Sequence, residues 1–163
     1  KAIQSYATCL EKFTGKKLSD IPGTGAAGGL GFAFLWGLPK VKLKPGIDIV
    51  LEAVGLTNEL KDADVVVTGE GCLDFQTAMG KVPVGVAKTA KNYNCKVIAF
   101  AGSVTEEAKK CNEKGIDAFF SILPGVCSLD EAMDTEIAQK NMRNAAEQVF
   151  RLILTLLKEK CYE

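Results

Sequence analysis

From Asp64 onward, three short apolar runs each break into glycine-bearing turns and are separated by stretches of helical period. Val65-Val66-Val67-Thr68 leads into Gly69-Glu70-Gly71, Lys96–Ala101 into Gly102-Ser103, and Ala118–Ile122 into Leu123-Pro124-Gly125. The first run is too short for an ordinary helix and too rich in β-branched residues to favour one, so it reads as a strand buried on both faces. Between and after the runs, helices are expected from about Pro83 to Tyr93, from Thr105 to Lys114, and from Ser128 onward. Pro83 is tolerated in a first turn, Thr105 is a candidate N-cap, Gly115 a stop, and Ser128 with Glu131 a capping box. The last helix carries Val149, Leu152, Ile153 and Leu156 as an apolar face. Strands alternating with helices of about 10 to 15 residues imply right-handed crossovers and a parallel sheet. Three strand ends therefore point the same way.

The fold class that follows is α/β: a three-layer parallel sheet flanked by helices, a Rossmann- or flavodoxin-like half. Residues ahead of Asp62 follow another pattern. Ile3, Tyr6, Leu10 and Phe13 fall at helical spacing, Gly15 closes that helix, and a second helix is expected from Ala26 to Leu38, well buried at Phe32, Phe34, Leu35, Trp36 and Leu38. A third runs from Ile47 to Val54, with Gly55 as its stop. The domain reading is residues 1–61 as the end of a second, glycine-rich α/β domain and 62–163 as half of the main one. The start at Lys1, inside a helical pattern, suggests a piece of a longer polypeptide.

Lys plus Arg and Asp plus Glu are 20 each, so no global field selects nucleic acid or an anionic membrane, and an anion must be held locally. With no histidine in the chain, acid/base work falls to carboxylates or lysine. Cys9, Cys72, Cys95, Cys111, Cys127 and Cys161 contain no CxxC pair and read as reduced thiols. No apolar run approaches the ~18 to 20 residues of a membrane span, and the cytosol is the expected compartment. An exposed edge in a half-sheet allows self-association into a homo-oligomer.

In open α/β sheets the ligand site lies beyond the carboxyl ends of the strands. The first strand end delivers Gly69, Glu70 and Gly71, then Asp74, Gln76, Thr77, Gly80 and Lys81. Glycines flanking Glu70 permit close backbone approach to a ligand. Glu70 and Asp74, four residues apart, can share a metal or divide proton transfer. Gly102-Ser103 and Pro124-Gly125 suit either an amide-lined anion pocket or simply tight turns. Farther upstream, Gly23, Gly25 and Gly28 spell GxGxxG, but no strand precedes them as a dinucleotide site requires. The segment Gly23 to Gly29 either exposes N–H groups to an anion or lets its helix pack closely. Walker A is absent, because Gly80-Lys81 is followed by Val82 and no glycine stands five before Gly80. What remains suits a magnesium-assisted reaction on an anionic substrate, Lys81 neutralising phosphate charge.

At this loop the chain resembles a known family. GEGCLDFQTAMGKVPVGVAKTAKNYNCKVIAFAGSV is similar to the GEGRxDxQTxxGKxPxGVAxxA…VIAxAGSV segment of the type I glycerate kinases, and the likeness extends through PGTGAAGGLG, LKPGIDIVLEAVGL and GIDAFFSILPGVCSLDEAM. The resemblance implies transfer of the ATP γ-phosphoryl group to a hydroxyl of D-glycerate with Mg²⁺, in a cleft between two α/β domains. It implies that Glu70, Asp74 and Lys81 belong to the active-site loop, as the catalytic residues and, for Asp74 or Glu70, as holders of magnesium or acceptors of the hydroxyl proton. Gly69, Gly71, Gln76, Thr77, Gly80, Ser103, Gly23, Gly25, Gly28 and Gly29 would contact substrate or phosphate. It also implies that this chain is the C-terminal part of such an enzyme. Cys72 stands where the family pattern has arginine, which removes a fixed cation. The alternative is a non-catalytic nucleotide- or small-anion-binding module.

Overall fold

The computed structural model describes residues 2–160; Lys1 and Cys161 lie outside them. The chain forms two compact units that divide between Val50 and Leu51, whereas the sequence pattern changes near Asp62.

In the first unit, helix α1 (Ala2–Thr14) ends at Gly15, whose φ of 71° is the left-handed conformation glycine adopts freely. The Glu11 carboxylate then accepts from the N–H groups of Leu18 and Ser19, and the Ser19 and Leu18 bonds hold its carboxyl below the usual range. Helix α2 (Ala26–Gly37) is interrupted at its start: Ala27, Gly28 and Gly29 have φ of 48°, 69° and 93°. The expected regular helix from Ala26 therefore begins only after this left-handed turn. Gly31 explains the close packing, since a Cβ there would sit 2.5 Å from the Gly23 carbonyl oxygen. Phe32 is buried and meets Tyr6 edge-on, but Phe34, Trp36 and Leu38 are exposed, contrary to the burial expected of that segment.

The division between the units falls within α3 (Gly46–Ala53). Gly55, left-handed at φ 66°, precedes α4 (Leu56–Glu59) and the 3₁₀ turn Leu60–Asp62.

The second unit is built on a parallel sheet of order β1-β2-β3: β1 (Val65–Leu73), β2 (Lys96–Val104) and β3 (Ala118–Ser121). The first two strands run further than the apolar runs suggested. Both continue through their glycines, pairing Gly69 with Phe100, Glu70 with Ala101 and Cys72 with Ser103, so Gly69-Glu70-Gly71 is strand rather than loop. The missing side chains make this possible: a Cβ on Gly69 would lie 2.3 Å from the Phe100 oxygen, and one on Gly102 2.8 Å from the Gly71 oxygen. Burial on both faces holds for central β2 from Val97 to Ala101, but not for edge strand β1, where Val67 is 48% exposed.

One face of the sheet carries the core. Val97, Ala99 and Ala101 pack with Val84, Ala87 and Ala90 of α6 (Val82–Lys91), and with Ala108 and Cys111 of the segment Glu106–Lys114. Burying a side chain the size of Val84 or Leu73 stabilises the unit by about 1.5–3 kcal/mol. The segment Glu106–Lys114 is a 3₁₀ helix, and Thr105 at its N-cap makes no capping bond. Gly115 ends it at φ 108° as expected. The Ser128–Glu131 capping box is present and starts α7 (Leu129–Met133). Asp134 then caps α8 (Thr135–Lys160), its carboxylate accepting from the Ile137 N–H. The expected apolar face of α8 is only partly covered, with Leu152 and Leu156 exposed.

Candidate functional site

The carboxyl ends of the three strands surround a cavity of about 900 Å³. Bare backbone forms part of its wall, from Gly69 and Gly71 on β1 and Gly102 on β2, with Glu70 and Ser103 beside them. Ile122 and Leu123 follow β3, and Ser128, Leu129 and Met133 from the α7 region face them across the space, with Met142 of α8. The third strand end thus contributes Ile122 and Leu123 rather than Pro124-Gly125. Phe100, Met133 and Met142 were not singled out by sequence reasoning. Apolar residues around a few polar groups make a ligand-sized space of the usual kind, and the signal for the helical wall lay in the capping box, which fixes where α7 begins.

Residues after β1 form a second, tightly bonded cluster. Asp74 is the N-cap of α5 (Phe75–Ala78): its Oδ1 accepts from the Thr77 N–H at 3.0 Å, and its own N–H donates to the Thr77 hydroxyl at 3.3 Å. Such a reciprocal box satisfies orphan N–H groups at the start of a helix. The Thr77 hydroxyl also donates to Glu70 Oε1. Lys81 Nζ lies 3.6 Å from Asp74 Oδ1. The Thr77 backbone N–H, and then the Lys81 charge, outweigh the effect of burial and hold the Asp74 carboxyl below its usual range. Cys111 is pushed up by burial and by the Glu70 and Asp74 charges.

Glu70, Asp74, Thr77 and Lys81 are therefore brought together, and Glu70 joins them to the cavity. Asp74, Gln76, Thr77, Gly80 and Lys81 do not line that cavity. Thr77 is fully buried, so the structure corrects its assignment as a phosphate contact: its hydroxyl is spent on Glu70 and Asp74. Gln76 is exposed on α5, and Gly80 takes a φ of 114° in the turn before α6. Gly23, Gly25, Gly28 and Gly29 belong to the first unit, where Gly25 borders a smaller cavity with Asp20 and Thr24, and Gly28 and Gly29 border another with Ile3 and Tyr6. No group of three or more metal-ligating side chains occurs among the described residues. Two carboxylates joined through one threonine match the lesser demand of magnesium, which is held by one or two carboxylates together with substrate phosphates.

A parallel sheet with bare glycine backbone, a serine and a carboxylate around one cavity at its carboxyl edge defines a small-ligand-binding α/β protein. Comparison with known proteins narrows the class. The family model described as the glycerate kinase family matches residues 1–154. The chain is 44% identical over 149 residues to a glycerate kinase of Bacillus subtilis (strain 168), covering 90% of this chain and 39% of that protein. It is 44% identical over 130 residues to a glycerate 2-kinase of Escherichia coli (strain K12), covering 80% and 34%. A crystal structure of a Salmonella typhimurium LT2 protein assigned as glycerate kinase 2 superposes with a TM-score of 0.61 at 39% identity, over 93% of this chain and 37% of that one. The chain belongs to the glycerate kinase family, and it spans 39% of the length of the Bacillus subtilis relative.

Proposed function

We propose that this chain is the C-terminal portion of a type I glycerate kinase, which transfers the γ-phosphoryl group of ATP to a hydroxyl of D-glycerate in the cytoplasm. Residues 1–61 are the end of an inserted glycine-rich domain, and 62–163 the returning half of the main α/β domain. The observation that carries the reading is the joining of Glu70 and Asp74 through Thr77, with Lys81 beside Asp74, at the edge of a glycine-walled cavity in a chain of this family.

Phosphoryl transfer needs positioning and charge compensation more than covalent help from the protein. The bare backbone at Gly69, Gly71 and Gly102 lets phosphate oxygens approach closely, and the Ser103 hydroxyl suits them as a donor. Lys81 neutralises phosphate charge, while Asp74 or Glu70 accepts the proton of the attacking hydroxyl. Glu70 and Asp74 would hold Mg²⁺, which when bound neutralises charge on the transferring group. Within the first unit, Gly23, Gly25, Gly28 and Gly29 would contact substrate or phosphate.

Calorimetric titration of Mg-ATP into this chain, beside the Asp74→Asn variant, tests the assignment. Binding that weakens in the variant supports it, whereas equal binding by both proteins removes Asp74 from the site. Cys72, in the position of the family arginine, favours a second reading: a nucleotide- or small-anion-binding module without catalysis. A gain of D-glycerate phosphorylation on Cys72→Arg in a longer polypeptide that contains this chain supports the kinase, and no gain supports the module.

A further inference from the structure

We infer that Thr77 is the positioning residue of this site: its hydroxyl proton is committed to Glu70 and its backbone N–H to Asp74, so one buried side chain holds both carboxylates as a pair. The inference rests on the reading above, that Glu70 and Asp74 serve a cation together.

The argument is one of hydrogen-bond capacity. Thr77 Oγ1 lies within bonding distance of Glu70 Oε1, of Asp74 Oδ1 at 3.2 Å, and of the Cys72 carbonyl at 3.5 Å. A hydroxyl has one proton and two lone pairs, so only one of these acceptors receives it. The Asp74 N–H, pointing at the same oxygen at 3.3 Å, fills an acceptor position. Asp74 Oδ1 does not need the proton, because it already accepts from the Thr77 N–H and faces Lys81. Among the described residues, the Glu70 carboxylate receives its hydrogen bond from Thr77 alone.

The two carboxylates consequently depend on Thr77 in different ways. Asp74 is held by a main-chain N–H that any non-proline residue at position 77 supplies, whereas Glu70 is held by the hydroxyl. Around the pair stand Lys81, Cys111 and Glu107, the last close enough to feel the Asp74 charge. No phosphate or substrate can reach a side chain with no exposed surface, so Thr77 acts only through its neighbours. Residues that orient a metal's carboxylate ligands typically contribute about 10- to 100-fold in metal affinity.

The test uses this chain, selectively ¹³C-labelled at side-chain carboxyls, as wild type, Thr77→Val and Thr77→Ser, observed by NMR at neutral pH. Manganese(II) ion alone serves as the paramagnetic probe. In wild type the Thr77 hydroxyl proton should give a slowly exchanging signal with a cross-relaxation contact to Glu70. Thr77→Val should move the Glu70 carboxyl resonance and leave that of Asp74 in place. It should also weaken manganese broadening of both resonances by about 10- to 100-fold, and Thr77→Ser should restore each property. A rapidly exchanging hydroxyl in wild type overturns the positioning role without any variant, as does an unmoved Glu70 resonance in Thr77→Val. Failure of serine to rescue also overturns it. A wild-type chain whose two carboxyl resonances ignore manganese while the hydroxyl signature is intact overturns instead the cation reading on which the role rests.

Discussion

The α-carbon of Gly69 lies so near the Phe100 carbonyl that a Cβ would stand 2.3 Å from its oxygen. The demand is one of space, not of backbone conformation. Relief would require β1 to separate from β2 at the edge of the cavity. Gly69→Ala should therefore lower stability by about 2–4 kcal/mol, read as a fall in the urea midpoint. Gly71→Ala meets nothing within 4 Å and should leave that midpoint nearly unchanged, although Gly71 also lines the cavity.

Acid sensitivity should be traceable to Asp117. Burial pushes its carboxyl up, but the hydrogen bonds from Lys91 and from the Val97 N–H prevail and hold it below its usual range. A lowered folded-state value means that the carboxylate stabilises the fold fully above the unfolded value, about 3.9, and loses this effect as pH falls through the folded value. Asp117→Asn keeps an acceptor for Val97 and removes the charge. Thermal melts should show it less stable than wild type at pH 7, with the gap closing below about pH 4.

Leu73 is fully buried at the end of β1 and packs in the core beside Val84 and Cys111. Leu73→Ala should cost about 2–5 kcal/mol, through lost burial and the cavity left behind. Denaturant unfolding measures it, and a loss under 1 kcal/mol would mean that the strand end relaxes into the gap.

Ser128→Ala removes the hydroxyl that accepts from the Glu131 N–H at the start of α7. The expected loss is about 1 kcal/mol or less. Hydrogen exchange at Glu131, Ala132 and Met133 should quicken first, since a missing cap frays the first turns.

Much of this architecture was legible in the sequence. The alternation of strands and helices, the stops at Gly15, Gly55 and Gly115, and the box at Ser128 are local chemistry written in short stretches. The extension of β1 and β2 through Gly69 and Gly102 was not legible, because glycine ordinarily ends a strand and its reason here is the carbonyl of a neighbour distant in sequence. Thr77 was recognisable as part of the site, but not its burial, which depends on the packing of α5 against the 3₁₀ helix Glu106–Lys114. The exposure of Leu152 and Phe34 was equally hidden, since periodicity names an apolar face and says nothing of what covers it.

The glycine wall also bears on how such a cavity can diversify. Where Gly69 and Gly102 meet opposing backbone, a new side chain cannot be added without parting the strands. Leu129, Met133 and Met142 stand on helices across the space and are already exposed. Change in ligand preference is thereby channelled away from Gly69 and Gly102: these two positions are a fixed template, whereas Gly71 and the helical side are where substitutions can accumulate with little cost to the fold.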